Sequence, residues 1–330
     1  MGLTTDGSKK TPIQVIPQIV VVDIASGSDH LVLLAKSGHV YTIGCAEQGQ
    51  LGRVTSRTLT GESRRGKASL LTPGIIIRKA KNFVASAIWA TPFCTFVREN
   101  STGQIYGFGL NNFNQLGVQK RGTEFEHYPI LSSFTDVKTI AGGQHHTLVL
   151  TNDQKIHSIG RKDYGRLGLG EVEKDIEELT VISGLPDIAN IFCGECSSFA
   201  ITKDGKVYVW GMGTSSQLGT GDEDDVISPR LLVSAQVKDK NMLSINGGGQ
   251  HSLFLVEDPE STAKPVKAVT NSEAAPKENG DTTKPTGKAS KKPAVEAPAD
   301  STTDVNGNSE KEEKMEVDSN APKRARKRKA

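Results

Sequence analysis

The sequence predicts an all-β fold, a β-propeller, on three observations: a repeat of about fifty residues, several short strands within each repeat, and no sustained helical period. The repeat begins with Gly-x-x-His or a polar residue in place of the His. An apolar run, a short turn and a second apolar run follow, and the unit closes on x-Leu-Gly. Each unit is rich in Val, Ile, Phe and Tyr and is broken by Gly and Asp-Gly turns, which reads as strands of about five residues joined by hairpins, roughly four to a unit. About four strands in fifty residues suit a propeller blade better than a solenoid coil.

The units can be followed along the chain. Gly27-Ser28-Asp29-His30 opens the first, which turns at Ser37-Gly38 and ends at Gln50-Leu51-Gly52. A weaker copy runs from Phe93-Cys94 through Gln104 to Gln115-Leu116-Gly117. Gly143-Gln144-His145-His146 leads to Arg166-Leu167-Gly168, and Gly194-Glu195-Cys196-Ser197 leads through Asp204-Gly205 to Gln217-Leu218-Gly219. A half copy starts at Gly248-Gly249-Gln250-His251, so the sequence holds four complete units and half of a fifth. The closing glycines lie 65, 51 and 51 residues apart, and the longer first interval places an insertion between Arg53 and Lys81. Four and a half blades leave strand edges unpaired, from which marginal stability and self-association are expected.

Composition divides the 330 residues into a propeller region, 1–256, and a tail, 257–330. The tail is Pro, Ala, Lys, Ser, Thr and Glu with almost no large apolar residue, so it cannot bury enough surface to offset its ordering entropy and is expected to be disordered. Residues 261–330 hold 15 Lys and Arg against 11 Asp and Glu, which leaves 25 basic and 27 acidic residues for the rest. Electrostatic attraction to DNA therefore belongs mainly to the tail. No signal peptide or apolar run of about 18 residues is present, so no membrane partner is expected. Four cysteines, Cys45, Cys94, Cys193 and Cys196, fit free thiols in a reducing compartment.

Four phrases carry a resemblance: Ala25-Ser26-Gly27-Ser28-Asp29-His30-Leu31-Val32, Glu47-Gln48-Gly49-Gln50-Leu51-Gly52-Arg53, Gly142-Gly143-Gln144-His145-His146-Thr147, and Tyr164-Gly165-Arg166-Leu167-Gly168-Leu169-Gly170. With them, residues 11–256 resemble the regulator of chromosome condensation family, chromatin-bound exchange factors for the GTPase Ran. The resemblance implies a seven-bladed ring of which this sequence supplies the later blades. Met1 to Lys10 would be the end of a protruding wedge hairpin that pries at the GTPase's nucleotide site, the rest of the wedge lying outside this sequence. It implies guanine-nucleotide exchange without covalent chemistry or cofactor, and a nuclear, chromatin-associated protein. The alternative is a propeller scaffold that binds histones and DNA without exchange.

On the residues alone, Asp and His in the Gly-x-x-His turns read as caps of their own blade's hydrogen bonds. The resemblance places Asp29, Arg53, His145 and His251 on the GTPase-facing rim instead. His30 and His146 recur at one blade position, which His251 and Ser197 share, and are read as structural. The insertion carries Arg57, Arg64, Arg65 and Lys67, matching the family loop that docks on the acidic histone patch of nucleosomes. The terminal run Lys323, Arg324, Arg326, Lys327, Arg328 and Lys329 reads as a signal for a nuclear-import receptor or as a DNA-tethering arm.

Other motifs fail. Cys193-Gly194-Glu195-Cys196 has metal-like spacing, but no second Cys/His pair follows it and it overlies the repeat turn. Gly211-Met212-Gly213 and Gly219-Thr220-Gly221 lack the Gly-Lys-Ser/Thr of a phosphate-binding loop. No Ser-His-Asp or Cys-His catalytic set stands out, since repetition accounts for the histidines.

Overall fold

Blades form here because each repeat folds into one antiparallel sheet. The computed structural model describes residues 12, 14–53, 70–76, 83–118, 124–238 and 240–257. The first sheet is β1 (Val21–Ser26), β2 (His30–Ala35), β3 (Val40–Gly44) and the two-residue β4 (Gly74–Ile75). The second is β5 (Ala85–Ala90), β6 (Cys94–Glu99), β7 (Ile105–Leu110) and β8 (Phe125–Leu131). The third is β9 (Val137–Gly142), β10 (His146–Thr151), β11 (Ile156–Gly160) and β12 (Ile176–Val181). The fourth is β13 (Ile188–Cys193), β14 (Ser197–Thr202), β15 (Val207–Gly211) and β16 (Val226–Leu231), and β17 (Asn241–Gly247) pairs β18 (Ser252–Glu257) in a two-stranded fifth. Four sheets and a half match the repeat count, and the strands follow one another in sequence order. Chain contacts divide the protein into two units, Met1–Val266 and Lys267–Ala330, the second lying outside the described residues.

Inside the first unit, the first strands of successive sheets touch: β1 with β5, β5 with β9, β9 with β13, and β13 with β17. The sheets are thus arranged radially, with first strands innermost. Ala90, Gly142, Phe192 and Gly247 from four of these strands line a cavity of about 420 Å³. The apolar core lies between sheets. Val32 and Val40 meet Ile88 and Val97, Phe96 and Leu116 meet Ile140 and Val149, and Leu148 and Leu150 join Phe199, Trp210 and Ile245. β10 and β14 are buried at every position because each has a neighbouring sheet on both faces. Their sequences therefore read as continuous runs rather than as alternation. Only the outermost described sheets expose large apolar side chains of their inner strands, Val22 and Ile24 on β1 and Leu253 and Leu255 on β18.

The two halves of the motif have separate physical causes. The glycine of Gly-x-x-His is a close approach: a Cβ on Gly143 would stand 2.5 Å from His146 Cε1 and against the Glu195 carbonyl of the next blade. The glycine of x-Leu-Gly is a left-handed turn residue, with Gly168 at φ +70° and a Cβ there only 2.8 Å from Trp210 Nε1.

Candidate functional site

Consecutive residues at the start of each second strand do different work. The first position (His30, Cys94, His146, Ser197 or His251, the last just before β18) and the one after it (Leu31, Thr95, Thr147, Ser198 or Ser252) are the two columns of a latch between blades, made where they carry an imidazole or a hydroxyl. Thr95 Oγ1 donates to the Gln50 carbonyl at 2.9 Å, Thr147 to Gln115 at 2.8 Å, Ser198 to Arg166 at 2.9 Å and Ser252 to Gln217 at 2.6 Å. Each acceptor is the x of the previous blade's x-Leu-Gly. The histidines reach the same hydroxyls: His30 Nε2 lies 2.9 Å from Thr95 Oγ1 and His146 Nε2 lies 2.9 Å from Ser198 Oγ.

The hydroxyl proton is committed to a carbonyl, so the imidazole must carry its proton on Nε2 and donate it. That leaves Nδ1 bare; in both rings it is buried without a partner. A second proton there would be a buried, unpaired charge. Burial accordingly lowers His30 to about 4, and burial with the Arg166 charge lowers His146 to about 3. Both are neutral structural groups, as the repetition suggested.

The residue immediately before the first of these columns points elsewhere. This rim column reads Asp29, Phe93, His145, Cys196 and Gln250. The backbone is the same each time, with Asp29 O accepting from Cys45 N at 2.8 Å and His145 O from Arg161 N at 2.9 Å. The side chains share nothing. Asp29 is exposed, and its carboxylate has no partner among the described residues. His145 is half-buried against Phe113, ring centroids 5.1 Å apart, with Nδ1 unpartnered. Burial, then Arg166 and Arg161, hold its imidazolium down. Neighbouring turns are tied along this edge by Ser28 N to Pro92 O, Gln144 N to Glu195 O and Glu195 N to Gly248 O. A repeated backbone thus presents a different side chain from each blade.

The other two predicted rim residues lie differently. His251 falls in the latch column with His30 and His146, its ring against Gly248, and is set apart from Asp29 and His145 by one register position. Arg53 turns into its own blade. Its Nε donates to Thr42 Oγ1 at 3.1 Å, and one terminal nitrogen donates to the Thr42 and Thr72 carbonyls, each at 3.0 Å. Arg57, Arg64, Arg65 and Lys67 lie outside the described residues, as do Lys323, Arg324, Arg326, Lys327, Arg328 and Lys329. The sequence reading missed Arg166, a fully buried cation beside His145. Its signal was present, since it is the one Arg among the Gln residues of x-Leu-Gly.

Repeated blades tied by the same turns, with a rim that varies from blade to blade, define a β-propeller of the repeat type. The family model described as RCC1-like domain matches residues 1–254, and the chain belongs to that family. It is 49% identical over 283 residues to the regulator of chromosome condensation of Drosophila melanogaster, covering 84% of this chain and 51% of that protein. It is 42% identical over 260 residues to the Homo sapiens protein of the same name, covering 76% of this chain and 61% of the relative. The chain thus spans about half to three-fifths of the length of these relatives. The structure resembles Prp20p of Saccharomyces cerevisiae, described with its binding to Gsp1p and histones, at TM-score 0.63 and 25% identity over 73% of this chain and 57% of that one. It also resembles yeast RCC1 (Prp20) bound to Kap60, at TM-score 0.65 and 25% identity over 75% and 57% of the two chains.

Proposed function

We propose that the propeller region acts in guanine-nucleotide exchange on the GTPase Ran at chromatin, with Asp29 and His145 contacting the GTPase. The observation that carries this reading is the rim column: on the first and third blades it presents an uncommitted carboxylate, Asp29, and a neutral imidazole, His145, on a backbone tied by the latch. Family membership and the names of the relatives support it. Exchange needs no nucleophile. A factor that binds the nucleotide-free GTPase more tightly than the loaded form weakens nucleotide binding by the same factor. Each ~1.4 kcal/mol removed from the release barrier speeds release about tenfold. Asp29 suits a basic residue of the partner and His145 a donor or an aromatic face. Arg53 would first have to leave Thr42 and Thr72, and His251 would act from the latch column. Both are therefore secondary contacts in this reading.

Chromatin attachment through Arg57, Arg64, Arg65 and Lys67 to the histone acidic patch, DNA contact through the tail, and import through Lys323 to Lys329 complete the proposal. The test is stopped-flow release of labelled GDP from Ran. The chain should accelerate release, and Asp29→Ala and His145→Ala should each slow it about tenfold or more. Nucleosome binding without acceleration would favour the scaffold reading.

A further inference from the structure

Three of the four x-Leu-Gly turns carry Gln at x, and all three use it alike. Gln50, Gln115 and Gln217 are buried, and each Oε1 accepts the backbone N–H two residues earlier: Gln48 at 2.9 Å, Phe113 at 2.9 Å and Ser215 at 2.7 Å. The third blade has Arg166, and a guanidinium accepts no hydrogen bond. The backbone there takes another path. Tyr164, two residues earlier, adopts φ +62° and ψ +13°, a left-handed conformation that Gln48, Phe113 and Ser215 do not share. Such a conformation is uncommon for a bulky residue and costs on the order of 1 kcal/mol.

Arg166 donates Nε to the Asp163 carbonyl at 2.8 Å, and its own carbonyl is held by Ser198 Oγ at 2.9 Å and Trp210 Nε1 at 3.0 Å. The side chain is only 1% exposed. The nearby Asp163 carboxylate forms no ion pair with it, because Asp163 binds Arg161 at 2.5 Å and 2.6 Å. Arg166 Nη1 has no hydrogen-bond partner. The Tyr164 ring stacks on the guanidinium, 5.2 Å from Cζ, and is itself 47% exposed. A buried cation with a free N–H is costly, and so is a left-handed tyrosine. Gln would remove the buried cation, and a buried cation beside a left-handed tyrosine points to a functional site rather than a packing solution. The charge acts on His145 and Cys196, both in the rim column.

We propose that Arg166 is the receptor for a carboxylate side chain of the bound partner protein, with Tyr164 as a cover that moves aside when the partner docks. An Nη1 amino group with both N–H bonds unpaired, on a guanidinium that makes no ion pair among the described residues, suits a planar carboxylate. The proposal rests on the reading that the rim faces the GTPase, and it adds an acidic contact to the Asp29 and His145 contacts.

Arg166→Gln tests it, because Gln at this position is what the other three blades use. The variant should fold, with a melting temperature equal to or above that of the parent chain. Its affinity for nucleotide-free Ran, measured by titration calorimetry, should fall about thirtyfold. Replacing acidic residues of Ran singly by their amides should find one position that weakens the parent chain but leaves Arg166→Gln unaffected. Tyr164→Gly, which removes the cover and the strained side chain, should bind at least as tightly as the parent. Equal binding by the parent chain and Arg166→Gln would overturn the carboxylate receptor and leave the rim reading standing. Failure of the parent chain itself to bind Ran would overturn both.

Discussion

His146 Nε2 on the third blade lies 2.9 Å from Ser198 Oγ on the fourth, and that hydroxyl donates back to the third blade at Arg166 O, also 2.9 Å away. One side-chain oxygen thus joins a strand and the closing turn of one blade to the next, and the same relation holds for His30, Thr95 and Gln50. Most of the contact between blades is apolar and has little directional preference. The hydroxyl, with the backbone bonds between neighbouring turns, fixes their register.

Removing that hydroxyl strands two buried groups. Ser198→Ala leaves the His146 N–H without an acceptor and Arg166 O with Trp210 alone, and the expected loss is roughly 1–3 kcal/mol of stability. Thr147→Val, which keeps the shape but loses the bond to Gln115 O, should cost a similar amount. Leu31 stands at the same column without a hydroxyl, so Leu31→Thr should change stability little. Urea midpoints for the three variants check this ordering.

Acid should loosen the latch before it affects the carboxylates. His30 and His146 titrate at about 4 and about 3 in the folded chain, below the usual 6.5, because burial excludes their charged forms. Below 6.5 the unfolded chain takes up protons that the folded chain refuses, so stability is complete above that pH and falls as pH drops toward 4 and 3. Each histidine contributes a slope of up to about 1.4 kcal/mol per pH unit in that window. Asp153, Asp204 and Asp222 are lowered from 3.8, so their contributions fail only at lower pH. His146→Ser, which copies Ser197 of the fourth blade, should flatten the stability profile between pH 6.5 and 4. An unchanged slope would show that His146 is not the group being titrated.

The basic loop should separate chromatin docking from exchange. Arg57→Ala and Arg64→Ala are each expected to cost roughly 2–5 kcal/mol in binding to the histone acidic patch, because a charge-assisted fork leaves its partner charge unpaired. Neither should alter GDP release from Ran. A pull-down with nucleosomes bearing a native or a neutralised patch, using the chain without residues 261–330, measures this. Equal capture of both nucleosomes would leave the tail as the tether.

Nuclear import should depend on the terminal run. Replacing Lys327, Arg328 and Lys329 with Ala should move a fluorescent fusion from nucleus toward cytoplasm. Unchanged accumulation would place the signal elsewhere in the chain.

Much of this was legible in the sequence because a blade is a local object. Its strands are consecutive and its turns need particular residues, so Gly143 and Gly168 recur at fixed intervals whatever the surroundings. Repetition also identified His30 and His146 as structural, since a contact between identical units must itself repeat. The partner of each histidine was hidden. Thr95 lies 65 residues beyond His30, and Ser198 lies 52 beyond His146, so only blade-to-blade packing brings them together. The same packing folded Arg53 onto Thr42, where the resemblance had grouped it with Asp29, while the repeat had already aligned His251 with His30 and His146. Arg166 shows the division most plainly. The sequence by itself determined that one blade departs from Gln at the x position. Only the tertiary structure decided that this departure buries a cation under Tyr164 with no ion pair among the described residues, because burial and pairing depend on what the neighbouring strands and blades bring to the same point in space.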